Sequence, residues 1–141
     1  MLIRPTPWNG IYCSTKAAVY SLSEVMNMEC RPFGICVMHV APGAVKSNIA
    51  GNAAAQYALP PDSLYKAYLP NIVKRIYASQ GPGSMSTDQF AEDVVSKALK
   101  TSPPSYMMGG GLITMFSVAK WLPRGLLLGL IWWLHTRPVK T

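Results

Sequence analysis

Apolar residues along this chain fall into segments with different periods. Between Ile11 and Cys30, Ala17, Ala18, Leu22, Val25 and Met26 recur at helical spacing, and Pro32 and Gly34 follow as breakers. This predicts one amphipathic helix. Ile35 to Ala41 is instead a continuous apolar run with β-branched members, as expected of a strand buried on both faces. His39 inside it reads as a core histidine satisfied by its neighbours, not a ligand. Residues 42 to 58, rich in Gly, Ala and Asn, read as loop. From Pro61 to Ser79, Leu64, Tyr65, Tyr68, Leu69, Ile72, Val73 and Ile76 return to helical spacing, interrupted by Pro70.

Gln80-Gly81-Pro82-Gly83 is a break. Ser86 with Gln89 three residues on is a capping-box pattern, opening a helix to about Lys100 that Pro103 and Pro104 end. Tyr106 to Met108 reads as a short last strand, and residues 1 to 9 as an extended lead-in broken by Pro5 and Pro7.

The tail has its own pattern. Residues 106–119 and 125–134 are apolar or small, but Lys120, Pro123 and Arg124 divide them. A spanning helix needs about 20 apolar residues, so an in-plane segment with Trp121, Trp132 and Trp133 as aromatic anchors fits residues 105–141 better. The alternative is that these residues line an acyl pocket. No Asp or Glu follows Asp93, while Lys97, Lys100, Lys120, Arg124, Arg137 and Lys140 do.

Half of the 141 residues are hydrophobic and only 13% are charged, which leaves more apolar surface than a domain of this length is expected to cover. The net charge of +7 comes without any nucleic-acid-binding motif, so no nucleic-acid partner is expected. Cys13, Cys30 and Cys36 have no metal-ligand spacing, and their odd number argues against a disulfide framework; buried thiols in a reducing compartment are expected. The first residues lack the apolar run of a secretory signal, so export is not expected.

Candidate chemistry lies at Tyr12 and Lys16. Four residues apart on a helix, their phenol and ammonium can point into one cavity. A phenol with a pKa near ~10 transfers protons poorly at neutral pH, and an adjacent cation favours the phenolate. The pair therefore suits proton transfer to or from a carbonyl or alcohol oxygen. Spacing alone is also compatible with a half-buried Tyr beside a solvated Lys.

The surrounding residues decide between the two. Tyr12-Cys13-Ser14-Thr15-Lys16-Ala17-Ala18-Val19 and Leu22-Ser23-Glu24 resemble the active-site helix of the short-chain dehydrogenase/reductase family. Arg31-Pro32-Phe33-Gly34-Ile35, the run to Ala41, and Pro42-Gly43-Ala44-Val45-Lys46-Ser47 continue the resemblance in the family's order: helix, tight turn, core strand, Pro-Gly loop. The implied fold is α/β, the C-terminal part of a Rossmann-like doubly wound parallel sheet. Its first strands and Gly-rich dinucleotide loop have no counterpart here, because only eleven residues precede Tyr12. The family's catalytic Ser, roughly a dozen residues upstream of the Tyr, would fall before Met1. The whole chain is thus expected to be one partial domain, truncated and incompetent alone. Residues 1–104 would hold the catalytic helix, the core strand, the 61–79 segment (a mobile lid over the substrate in the family, or else a plain surface helix) and the next helix, and 105–141 the last strand and tail.

The resemblance implies an NAD(P)-dependent oxidoreductase. Tyr12 would give a proton to a ketone oxygen, and Lys16 would assist it and hold the nicotinamide ribose. Pro42, Gly43 and Val45 would approach the nicotinamide, with Ser47 near its carboxamide or the diphosphate. No metal is implied. The Trp8-Asn9-Gly10 lead-in, aromatic lid and apolar tail most resemble fungal 1-acyldihydroxyacetone-phosphate reductases, implying NADP, a lipid ketone, and the cytoplasmic face of the endoplasmic reticulum or lipid droplet. NAD stays an alternative, as do a cytoplasmic location, a fungal secondary-metabolite reductase, and a non-catalytic remnant. The helix 11–30 is the expected surface for a second subunit.

Overall fold

The computed structural model describes residues 5–111 and 121–137. The first long element is α1, Gly10–Cys30, begun after Asn9 and closed by a single 3-10 turn, Arg31–Phe33. Gly34 ends that turn at φ 70°, a left-handed conformation that costs glycine little, and its N–H bonds the Arg31 carbonyl. The helix and its terminators lie where the apolar period and Pro32-Gly34 put them.

Strand β1 is His39–Pro42 and β2 is Tyr106–Gly109; they pair in parallel, His39 opposite Tyr106 and Pro42 opposite Gly109. The crossover carries three helices: α2 (Ile49–Gln56), α3 (Leu69–Ile76) and α4 (Thr87–Ala98). A parallel pair joined by a helical crossover is the repeating unit of a doubly wound α/β sheet, and two strands make an incomplete one. The last described helix is α5, Arg124–Thr136, packed against α3.

Three expectations are corrected. The apolar run at 35–41 is strand only from His39, because β2 offers four residues to pair with; Ile35 and Cys36 are exposed, and no residue of β1 is fully buried. Residues 42 to 58 are not all loop, since α2 forms in the Ala-rich stretch. The 61–79 periodicity yields α3 only from Leu69, with Pro70 in the first turn, where its missing N–H costs nothing. The capping pattern holds: Ser86 Oγ accepts the Gln89 amide at 3.3 Å and α4 starts at Thr87. The proposed buried thiols are corrected too, as Cys36 is exposed and Cys13 and Cys30 are half-buried.

The core is thin. Among the described residues the buried apolar ones are Ala44, Ala50, Ile72, Met107, Leu127 and Ile131. The long helix α1 buries none of its residues, and Ile11, Val19, Leu22 and Met28 are 50–87% exposed. Such an apolar face on a helix calls for a covering surface.

Candidate active site

Of the two groups of expected site residues, one lies in the first turns of α1 and the other where β1 finishes. Tyr12 lies in the first turn of α1, whose start is closed by the Cys13 amide on the Asn9 carbonyl at 2.9 Å. Lys16, one turn on, places its ammonium over the Tyr12 ring, 5.5 Å from the centroid. Both side chains are exposed. The structure thus brings the pair together, with the lysine over the face of the ring. Thr15 bonds back to the Tyr12 carbonyl at 2.9 Å, an ordinary contact within the helix.

Pro42 ends β1, and Gly43 to Ser47 leave it as a loop held from both sides. The Gly43 amide donates to the Gly109 carbonyl at 2.6 Å, and Ala44 exchanges two backbone bonds with Gly111 at 3.1 and 2.9 Å. On the other flank Met85 N–H donates to Ala44 at 3.0 Å and Lys46 N–H to Met85 at 2.9 Å. Thr87 Oγ1 donates to the Lys46 carbonyl at 2.6 Å, and Gln80 Oε1 accepts the Ser47 amide at 3.3 Å. Gly43 is required by crowding: a Cβ there would lie 2.5 Å from the Gly111 carbonyl oxygen. Its contribution to any ligand is therefore close backbone approach, because its N–H is already committed. Among the described residues no hydrogen bond joins this loop to Tyr12 or Lys16.

An accessible ammonium and phenol share one turn of α1, and a glycine loop with fixed backbone follows β1. Adjacent to them is an aromatic cluster that the sequence pattern did not bring together. Trp8, two residues before α1, packs its ring 5.7 Å from Tyr68 and 6.4 Å from Trp132, while Tyr68 and Trp132 are 6.2 Å apart. The lead-in, the turn before α3 and helix α5 thus meet just before the first turn of α1. Arg75 Nε donates to Thr6 Oγ1 at 3.0 Å and ties α3 to the same lead-in.

The opposite end of the sheet holds a second feature missed by period reading. His39 stacks on Tyr106 at 5.7 Å with planes 6° apart, and Tyr20 meets it edge-on at 5.0 Å. The His39 Nδ1 lies 3.1 Å from Ser23 Oγ, so it is partnered as a structural histidine should be. Beside it a cavity of about 390 Å³ is lined by Tyr20, Ser23, Glu24, Asn27, His39 and Tyr106. Hydrogen bonding to Glu24 first, then burial, raises the Tyr20 phenol, and burial raises that of Tyr106. No group of three or more metal-ligating side chains occurs among the described residues.

Comparison with known proteins bears on the same segment. Residues 3–58, from the lead-in through α1, β1 and the glycine loop to α2, match the family model for short chain dehydrogenase. A short-chain dehydrogenase of Penicillium ochrochloron is 41% identical over 92 residues, 65% of this chain and 33% of that protein. One from Pyricularia oryzae is 30% identical over 136 residues, 94% of this chain and 45% of that protein. The NADPH-dependent 1-acyldihydroxyacetone phosphate reductase of Saccharomyces cerevisiae is 29% identical over 104 residues, 70% of this chain and 32% of that protein. No solved structure matches. The chain spans about a third to just under a half of the length of these relatives, and the residues that match the family model hold α1, β1 and the glycine loop. The chain belongs, as a partial domain, to the short-chain dehydrogenase/reductase family.

Proposed function

We propose that this chain supplies the proton-transfer and nicotinamide-facing part of an NADPH-dependent ketone reductase acting on a lipid-like substrate of the acyl-dihydroxyacetone phosphate type. The observation that carries the reading is the Tyr12–Lys16 pair, joined in one turn of α1 and open to solvent.

A bound nicotinamide supplies hydride to the carbonyl carbon. Tyr12 gives its phenolic proton to the carbonyl oxygen, so ketone, hydride and proton become the alcohol and Tyr12 is left as phenolate. Lys16 stabilises that phenolate by its charge and offers its remaining N–H donors to the nicotinamide ribose. Pro42, Gly43 and Val45 give the nicotinamide a rigid backbone wall, and Ser47 places a hydroxyl near its carboxamide or diphosphate. The preference for NADPH draws on the name of the yeast relative. The substrate class draws on the Trp8–Tyr68–Trp132 cluster, an apolar surface suited to an acyl chain.

The test is made in the complete enzyme, with cofactor oxidation and cofactor binding measured separately. Tyr12→Phe should lower kcat by about 10²–10⁴-fold while leaving NADPH affinity nearly unchanged. Lys16→Met should damage both. An unchanged kcat in Tyr12→Phe would refute the mechanism. The 141-residue chain alone is expected to show little or no turnover. A second reading, reduction of a ketone in a fungal secondary metabolite, draws on the higher identity to the Penicillium relative. Preference for ketones without an acyl or phosphate group over acyl-dihydroxyacetone phosphate would select it.

A further inference from the structure

Helix α5 is apolar on more than one side, and among the described residues only its Leu127–Ile131 stripe is buried. Leu127 and Ile131, one turn apart, are buried, and they form the helix's contribution to the core. The Asn71 amide fixes the end of the helix, donating to the His135 and Arg137 carbonyls at 2.6 and 2.8 Å. A second stripe, Leu126, Leu130 and Trp133, recurs at i, i+4 and i+7, about a third of a turn round the helix from the first, and Arg137 follows it as the C-cap residue. Leu126 is 66%, Leu130 44% and Trp133 51% exposed. The Arg137 guanidinium lies over the Trp133 ring, 3.3 Å from its centroid.

This stripe is built unlike a solvated helix face, which would carry charge along its length. Its apolar body ends in an aromatic ring with a cation on it, the arrangement of a side-chain pair at a water–lipid boundary. Charge points the same way. From Val94 to the C-terminus the sequence contains six Lys or Arg and no Asp or Glu, and Arg124 and Arg137 bracket α5, so the helix is flanked by charge that an anionic surface attracts. Length sets the orientation. Thirteen residues of helix extend about 20 Å, short of the ~30 Å of a hydrocarbon core, and no described helix is long and apolar enough to cross one.

We propose that α5 is a membrane-docking helix that lies in the plane of an anionic lipid surface, with Leu126, Leu130 and Trp133 immersed and Arg137 at the headgroups. The proposal stands apart from the reductase reading, since it needs neither cofactor nor turnover.

The experiment is flotation of the 141-residue chain with vesicles of phosphatidylcholine, alone or with about one third phosphatidylglycerol. Binding to the anionic vesicles should exceed binding to the neutral ones by about tenfold or more and weaken with salt. L126S/W133S should lose about tenfold or more of that binding, with far-UV circular dichroism confirming that the helices remain. A variant with Trp133 as its only tryptophan supplies a readout independent of that substitution: brominated lipid should quench its fluorescence. Three results would overturn the proposal. They are no flotation with anionic vesicles at low salt, no quenching of Trp133 by brominated lipid, or a stable dimer whose formation shields Trp133 in the presence of lipid.

Discussion

Asn71 is the residue to change to test what docks α5. It is 9% exposed and spends both hydrogens of its side-chain NH₂ on the end of α5, on the His135 carbonyl at 2.6 Å and the Arg137 carbonyl at 2.8 Å. These are carbonyls of the kind a helix C-terminus leaves without an intrahelical partner. Asn71→Ala removes both donors and leaves a small gap beside Ile72, the buried residue next to it on α3. At about 0.5–1.5 kcal/mol per bond the two together contribute about 1–3 kcal/mol. Asn71→Asp keeps the shape but turns acceptors toward acceptors, so it should cost more than the alanine. Because Leu127 and Ile131 are the only large side chains α5 buries among the described residues, the loss falls on the docking of that helix. Urea unfolding followed by tryptophan fluorescence measures the total, and amide exchange across α5 locates it. Wild-type exchange rates in α5 of Asn71→Ala would refute the assignment of this side chain as its tether.

Other substitutions test the loop and the caps. Gly43→Ala should destabilise by about 1–3 kcal/mol, because its Cβ would meet the Gly111 carbonyl at 2.5 Å and main chain must move; an unfolding midpoint equal to wild type would contradict that crowding. Ser86→Ala should cost about 1 kcal/mol through loss of the α4 cap, read in the same titration. The raised phenols of Tyr20 and Tyr106 favour the neutral form in the folded state, so their contribution is whole below about pH 10 and is lost as pH rises through the raised values. Stability should therefore fall in alkali, and Tyr106→Phe should flatten that fall; an unchanged slope would remove Tyr106 from the account.

Elements with a local cause were legible in the sequence. The α1 stripe, the Pro32-Gly34 stop and the Ser86 cap each depend on residues within a few positions of one another, and each stands where its pattern placed it. The extent of β1 was not, because a strand lasts only as far as its neighbour, and β2 pairs with just His39 to Pro42 of the apolar run. The Ala-rich stretch of α2 reads as loop in the sequence because the Gly51 and Asn52 within it are weak helix formers. The tethering of α5 by Asn71 joins positions 64 and 66 residues apart, and no period announces such a contact. The Trp8–Tyr68–Trp132 cluster was invisible for the same reason, although the aromatic character of each segment was plain.

The two parts of the candidate site are held by different means. The Pro42–Ser47 loop is fixed by backbone bonds to the segments around Met85 and Gly109–Gly111, so any wall it offers a nicotinamide is set before a ligand arrives. Tyr12 and Lys16 ride on α1, which buries none of its residues and leaves Ile11, Leu22 and Met28 largely exposed. An element with so little buried apolar area opens at low free-energy cost. Catalysis needs phenol, ammonium and loop fixed within a fraction of an ångström of one another. The weak link is therefore the placement of α1, and whatever covers its apolar face also aligns the proposed proton donor, Tyr12. On this argument, amide exchange along α1 should slow markedly when that face is covered, while exchange at Gly43 and Ala44 should stay as it was. Equal protection of both segments in the 141-residue chain would show that α1 needs no further support.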